Sequence, residues 1–291
     1  VTPADPDVTD AIARCLLCAR PSPERFRVRG HAIHRCGGCD LEFVWPTPSA
    51  DALRAVYERG YFTGDGAGYD DYFGREREIA ARKADTRLDA LSSVARRRPG
   101  RLVDVGCAAG YFVEAARARG WDAYGVEPSP EARRGVDPAL APRVVAALDA
   151  LPGDFDAITF WDVLEHLPDP LGALRDARAR LRPEGVLGVV VPVIGSVNTR
   201  IAPQSWDQYK PPEHLWFFSR GAVRELLWKG AGVRVRREEV AWRRDARLVD
   251  PEGRSRHPVV GLARALDGAF HRAVARAWPE ATVDSVAFYA R

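Results

Sequence analysis

From Arg101 onward, short apolar runs alternate with amphipathic stretches along the chain. Arg101 to Val105, Asp122 to Val126, Ala157 to Trp161 and Val186 to Val191 read as strands, each bounded by Gly, Pro or Asp. Tyr111 to Arg119 carries a helical pattern that stops at Gly120, and Asp169-Pro170 opens another, a capping residue followed by proline at the first helical position. The alternation predicts a parallel sheet covered by helices. A long irregular segment, Pro192 to Phe218, ends where Ser219 caps a further helix. Strand-like Val233 to Val240, a helical stretch near Val259 to Trp278 and a last strand, Ser285 to Tyr289, close the pattern.

Upstream, Ser49 is placed to cap a helix through about Arg59, and a longer helical pattern runs from about Arg75 to Arg98 with Ile79, Leu88 and Leu91 on its apolar side. Between them Gly60 to Gly74 is rich in glycine and aromatics, and with Tyr57 it reads either as a packing cluster or as a lid. The expected division is a metal-binding module over 1–48, a helical linker or lid over 49–100 and a cofactor-binding domain over 101–291.

Composition changes this picture little. The 291 residues carry a formal net charge of +3, almost all of the basic residues being Arg scattered among nearly as many acids. The clusters Arg96-Arg97-Arg98 and Arg234 to Arg237 with Arg243, Arg244 and Arg247 read as solvated faces rather than a phosphate-binding stripe. No apolar run approaches a bilayer span, and Val1 to Arg14 is acidic where a secretory signal is basic, so a soluble, cytoplasmic protein is expected.

Four of the five cysteines fall as Cys15-x-x-Cys18 and Cys36-x-x-Cys39. Each pair can present two thiolates from a tight turn, and the residues between suit a hairpin, which predicts one structural Zn2+ held by four sulfurs. Four thiolates fill the coordination sphere, so such a site is closed. Gly37 and Gly38 leave backbone amides free to turn toward sulfur, while His34, His31, His257 and His271 read as surface residues.

The second chemical motif is Asp104-Val105-Gly106-Cys107-Ala108-Ala109-Gly110, a glycine-bearing turn between the first strand and its helix. Alanine occupies the middle position where glycine is common. Glu127 closes the next strand, where an acid can accept both hydroxyls of a ribose. With Phe155-Asp156 leading to Trp161-Asp162-Val163-Leu164-Glu165-His166, and with Leu181-Arg182-Pro183-Glu184-Gly185, these segments resemble the class I S-adenosylmethionine-dependent methyltransferases over about residues 100–240. The cysteine pairs, the Trp45-Pro46-Thr47-Pro48 exit and Pro212-Glu213-His214-Leu215-Trp216-Phe217-Phe218-Ser219 look like a bacterial subgroup with an N-terminal four-cysteine zinc-binding region.

The resemblance implies an α/β, Rossmann-like sheet of seven strands, the last antiparallel, with the zinc knuckle and helical linker ahead of it. It assigns Asp104, Gly106 and Gly110 to the methionine part of S-adenosyl-L-methionine, Glu127 to the ribose, Leu148 to the adenine and Asp162 to the sulfonium end. Cys107, Ala108, Phe112, Pro128 and Val163 complete the cofactor set.

A phenol or alcohol acceptor requires a base near neutral pKa, which points to histidine. His166 lies at the carboxyl edge of the sheet, where it either takes a proton or steadies its turn. His214 lies in the long segment beside Trp206, Tyr209 and Lys210 and either acts as base or contacts substrate. The expected activity is methyl transfer to a small-molecule biosynthetic intermediate, directed at a hydroxyl or carboxylate in natural-product or sugar metabolism. Two alternatives stay open: RNA methylation with the knuckle gripping nucleic acid, and C-methylation of a nucleotide-linked sugar. Trp161-Asp162-Val163-Leu164 lacks the Asn/Asp-Pro-Pro-aromatic pattern of base-nitrogen attack, which disfavours nucleic acid. Oligomeric state is not legible.

Overall fold

The computed structural model describes residues 12–58, 72–95, 99–196, 199, 203, 206–243 and 283–291. In chain order the elements are β1 (Glu24–Val28), β2 (His31–Arg35), β3 (Glu42–Val44), α1 (Ala50–Glu58), α2 (Tyr72–Ala95), β4 (Arg101–Val105), α3 (Tyr111–Ala118), β5 (Asp122–Val126) and α4 (Pro130–Arg134). Then follow β6 (Val144–Val145), β7 (Phe155–Trp161), α5 (Pro170–Arg180), β8 (Leu181–Pro192), β9 (Trp216–Phe217), α6 (Arg220–Ala231), β10 (Val235–Arg243) and β11 (Val283–Ala290).

Side chains on successive strand residues point to opposite faces of the main sheet, so the buried runs feed two cores. Leu102, Ala157 and Val190 pack with Leu88 and Leu91 of α2 and Phe112 and Val113 of α3. Their neighbours Val103, Ile158 and Val189 pack with Leu174 of α5 and Leu226 and Leu227 of α6. The strand order is β10-β11-β8-β7-β4-β5-β6. From β8 to β6 all pairings are parallel, whereas β11 runs antiparallel to both β8 and β10. This is the seven-stranded Rossmann-like arrangement that the strand pattern and the resemblance predict.

The caps form as the sequence reads. Ser49, Asp169 and Ser219 accept from the amides of Ala52, Gly172 and Ala222 at 3.2, 2.8 and 3.1 Å. The fifth strand of the parallel run starts earlier than expected, because Leu181 already pairs with Phe155. The register shifts over Arg182 to Gly185 and resumes at Ala157 opposite Val186, so Arg182-Pro183-Glu184-Gly185 is an irregularity inside β8.

The N-terminal hairpin is not self-contained. β1, β2 and β3 form a second sheet whose fourth strand is β9, from the segment expected to be irregular; Glu42 and Phe43 pair with Phe217 and Trp216. Cys15, Leu17, Leu41 and Phe43 share one apolar cluster with Leu215 and Phe218. Trp206 and Tyr209, expected beside a catalytic histidine, are buried at this joint with Ile33, Val44 and Phe217. His34, expected at the surface, is half-buried: its Nδ1 lies 2.9 Å from the Ser22 carbonyl and its ring stacks on Phe43. His31 is half-buried too.

The aromatic stretch over 60–71, the helical stretch over 259–278, the Arg96-Arg97-Arg98 cluster, Arg244, Arg247, His257 and His271 lie outside the described residues. Among the described residues no helix is long and apolar enough to cross a membrane.

Candidate active site

The glycine turn is built by steric necessity. Gly106 has φ +76° and its amide donates to Val126 O at 2.7 Å; a Cβ there would lie 2.5 Å from Cγ2 of Val163. Gly110 has φ +77° and precedes α3. Between them Ala108 has φ +46°, a left-handed conformation that disfavours a side chain. Its amide donates to Glu127 Oε2 at 3.0 Å, while the Ser129 amide donates to Oε1 at 2.8 Å. The turn and the acid are thus clamped to each other, and burial still raises the Glu127 pKa. Pro128 is exposed, with its carbonyl accepting from Arg133 at 2.9 Å.

Below the turn, Cys107 fills core space: a Cβ on Gly125 would meet its Sγ at 2.4 Å, and burial pushes the thiol well up. Asp104 is buried, accepts from the Thr159 hydroxyl at 2.6 Å, and is raised by burial to about 7. Phe112 packs its ring edge-on against Trp161 at 5.2 Å, and Leu148 is half-buried in a 3₁₀ turn.

Past β7, Asp162 turns the chain with φ +58° and stands exposed, 3.8 Å from the Arg87 guanidinium, which also lies over the Trp161 ring. The following Glu165-His166-Leu167 is strapped to the segment before β9. Leu215 N donates to Glu165 O at 2.8 Å, Trp216 Nε1 to Leu167 O at 2.7 Å, and His166 Nδ1 lies 3.0 Å from Glu213 O. These bonds bring the His166 and His214 rings edge to face at 4.5 Å, and the Tyr57 hydroxyl of α1 reaches His166 Nδ1 at 3.0 Å.

The electrostatics of this edge follow from burial. Desolvation pushes His166 down to about 4 and His214 well below its usual range, with Lys210 adding to both, so both imidazoles are neutral at neutral pH. Desolvation, with Asp162 nearby, pushes Glu165 well up.

The methyltransferase-domain family matches residues 74–238, from within α2 to the first half of β10, and includes the turn, Glu127 and both histidines. The chain belongs to this family. A ubiquinone biosynthesis O-methyltransferase of Xylella fastidiosa is 31% identical over 192 residues, covering 56% of this chain and 74% of that protein. A tRNA U34 carboxymethyltransferase of Pseudoalteromonas translucida is 29% identical over 193 residues, covering 58% and 59%. Against a Ralstonia nicotianae enzyme named like the first, the chain spans only 46% of the relative's length. A SAM-dependent methyltransferase structure from Archaeoglobus fulgidus superposes with TM-score 0.49 at 16% identity, covering 81% of this chain and 98% of that one. Residues 74–238 are therefore a methyltransferase domain.

In this methyltransferase the four N-terminal cysteines converge although two lie before the hairpin and two after it. Their sulfurs fall within 4.8 Å of one another, Cys15 Sγ lying 3.4 Å from Cys39 Sγ and Cys18 Sγ 3.3 Å from Cys36 Sγ. Leu17 and Gly38 amides donate to the Cys15 and Cys36 sulfurs at 3.4 and 3.3 Å, the turn that Gly38 predicts.

Sequence reasoning passed over two features. One is Glu42, a fully buried carboxylate bonded to Arg25 and the Tyr209 hydroxyl, with Arg35 at 3.5 Å. The other is Glu165. An acid in a hydrophobic strand is a visible signal in the first case; in the second, the acid was read only as part of a motif.

Proposed function

We propose that this methyltransferase transfers the methyl group of S-adenosylmethionine to an oxygen of a small biosynthetic intermediate, a hydroxyl or carboxylate of natural-product or sugar metabolism. The observation that carries the reading is the meeting of His166 and His214 at the carboxyl end of β7, directly after Val163, whose methyl closes on Gly106 of the glycine turn. In open α/β sheets ligands bind at that edge, the edge on which the glycine turn after β4 also lies.

The bound cofactor supplies an electrophilic methyl on a sulfonium. The chain's own work is placement. Glu127, clamped by the Ala108 and Ser129 amides, is set to receive the ribose hydroxyls. Asp104, Gly106, Cys107, Ala108, Gly110 and Phe112 shape the methionine side, with Leu148 and Pro128 flanking and Asp162 and Val163 at the reacting end. His166 or His214 accepts the acceptor's proton through an imidazole lone pair; a carboxylate acceptor needs only to be oriented.

A structural zinc ion belongs to this reading. Zn–S bonds of about 2.3 Å in a tetrahedron separate sulfurs by about 3.8 Å, so the cysteine cluster needs only a slight expansion to fit, and its amide donors suit thiolates. The ion holds the hairpin against β9 and takes no part in transfer.

RNA as acceptor finds some support in the tRNA-modifying relative, but three of the hairpin arginines are engaged within the protein. Arg25 and Arg35 pair with Glu42, Arg35 also with Asp40, and Arg27 with Glu24. The test is incubation with methyl-labelled S-adenosylmethionine and an extract of the source organism, fractionated into RNA and small molecules. Label in the small-molecule pool, in a product whose methyl carbon has the chemical shift of O–CH3, supports the proposal. Label in RNA, or a C–CH3 signal on a nucleotide-linked sugar, overturns it.

A further inference from the structure

Glu165 is 1% exposed, and both of its carboxylate oxygens lack a hydrogen-bond partner. Such a group is costly whether it is charged or protonated: an ionised carboxylate loses its water, and a protonated one still leaves an O–H and a C=O unbonded. Its own amide and the Lys210 ammonium act on it, and the two imidazoles beside it bring lone pairs as well. His166 Nδ1 lies 3.0 Å from both the Glu213 carbonyl and the Tyr57 hydroxyl; the carbonyl can only accept, so with Nδ1 carrying the proton the Tyr57 oxygen accepts as well and Nε2 keeps its lone pair. His214 is 4% exposed; its Nε2 lies 3.9 Å from Glu213 Oε1, and its Nδ1 has no partner. One ligand atom from each of Glu165, His166 and His214 lies within 4.8 Å of the other two.

We propose that Glu165, His166 and His214 form a divalent transition-metal site at the transfer edge, separate from the four-cysteine site. Two imidazoles and one carboxylate are the donor set of zinc and iron centres that keep coordination positions open. Metal-binding histidines ordinarily donate their second N–H to a backbone carbonyl, and the Glu213 carbonyl supplies that for His166. The charge balance agrees: Asp162 and Glu213 add negative charge around Glu165, against Lys210, which lies 3.8 Å from Glu213 Oε1. A pair of histidines acting only as bases gives no reason to bury an unbonded carboxylate beside them. An ion bound there would take the imidazole lone pairs and would itself supply the lowered pKa of an acceptor oxygen, so the histidine base of the proposed transfer describes the chain without that ion.

The inference goes beyond the proposed transfer, since it concerns metal uptake and holds whatever the acceptor is. The full chain, loaded with zinc at its cysteines, is titrated with Co2+. The expected result is one further equivalent with weak visible d–d bands and no thiolate charge-transfer band. Uptake should weaken at least ~10-fold in Glu165→Gln, a near-isosteric change, and in His214→Gln. Binding of S-adenosylhomocysteine to the same variants reports whether they are folded. The proposal is overturned if the wild-type chain takes up no such Co2+, or if folded Glu165→Gln takes it up equally well. A failed methylation assay leaves it standing.

Discussion

His166 and His214 meet edge to face at 4.5 Å because three hydrogen bonds strap the end of β7 to the segment leading into β9. Either ring alone would be an ordinary buried imidazole; together they close one side of the transfer edge. Replacing either by alanine should lower turnover at saturating acceptor by ~10²–10⁴-fold, the usual contribution of a positioned proton-transfer group. S-adenosylhomocysteine affinity, measured calorimetrically, should stay within a few-fold. Near-normal turnover in both variants would remove the histidines from the chemistry.

Asp104 predicts a pH dependence of stability. Burial raises its pKa from 3.8 to about 7 in the folded protein, so the fold binds a proton that the unfolded chain releases earlier. Its contribution therefore favours the fold at low pH and is lost as pH rises from about 4 through about 7. Urea midpoints of the wild type and Asp104→Asn, compared between pH 5 and 8, should diverge with pH, the wild type falling more steeply. Parallel curves would contradict the assignment.

The glycine turn predicts two opposite outcomes. Gly106→Ala forces a methyl into Val163 at a positive φ and should weaken S-adenosylhomocysteine binding ~10-fold or more. Ala108→Gly relieves a left-handed alanine, a strain of about 1 kcal/mol, and should keep or improve affinity. Isothermal titration of both variants checks the pair.

Removing the hydroxyl in Tyr209→Phe takes a donor from buried Glu42 and should destabilise the fold by about 1–3 kcal/mol, read by urea denaturation. Chelating the proposed zinc should cost about 2 kcal/mol or above, lowering Tm by about 4–8 °C in a protein of this size. Metal analysis before and after chelation confirms the loss.

The main sheet was legible because strand alternation and helix caps are local signals: Ser49, Asp169 and Ser219 cap where the sequence placed them. The cysteine cluster was legible from spacing alone, and the glycine turn from the residues that must tolerate positive φ. Three things were not. The pairing of β9 with β3 joins distant segments and depends on two residues too few to show a period. Trp206 and Tyr209 stood out only as neighbours of His214 in a long segment, and that they pack a joint depends on distant partners. Glu165 gained its meaning only when His214 arrived from far along the chain.

The hydrogen-bonded strap also sets what can be exchanged between relatives. β9 is the last strand of the cysteine-bearing sheet and follows His214 by a single residue, Leu215, whose amide holds Glu165. A chimera that borrows another enzyme's N-terminal module would present a foreign edge to Trp216 and Phe217 and displace the histidine beside them. The natural unit of transplantation is therefore discontinuous: the cysteine hairpin and residues 206–218 must travel together, as one cassette written in two places along the chain.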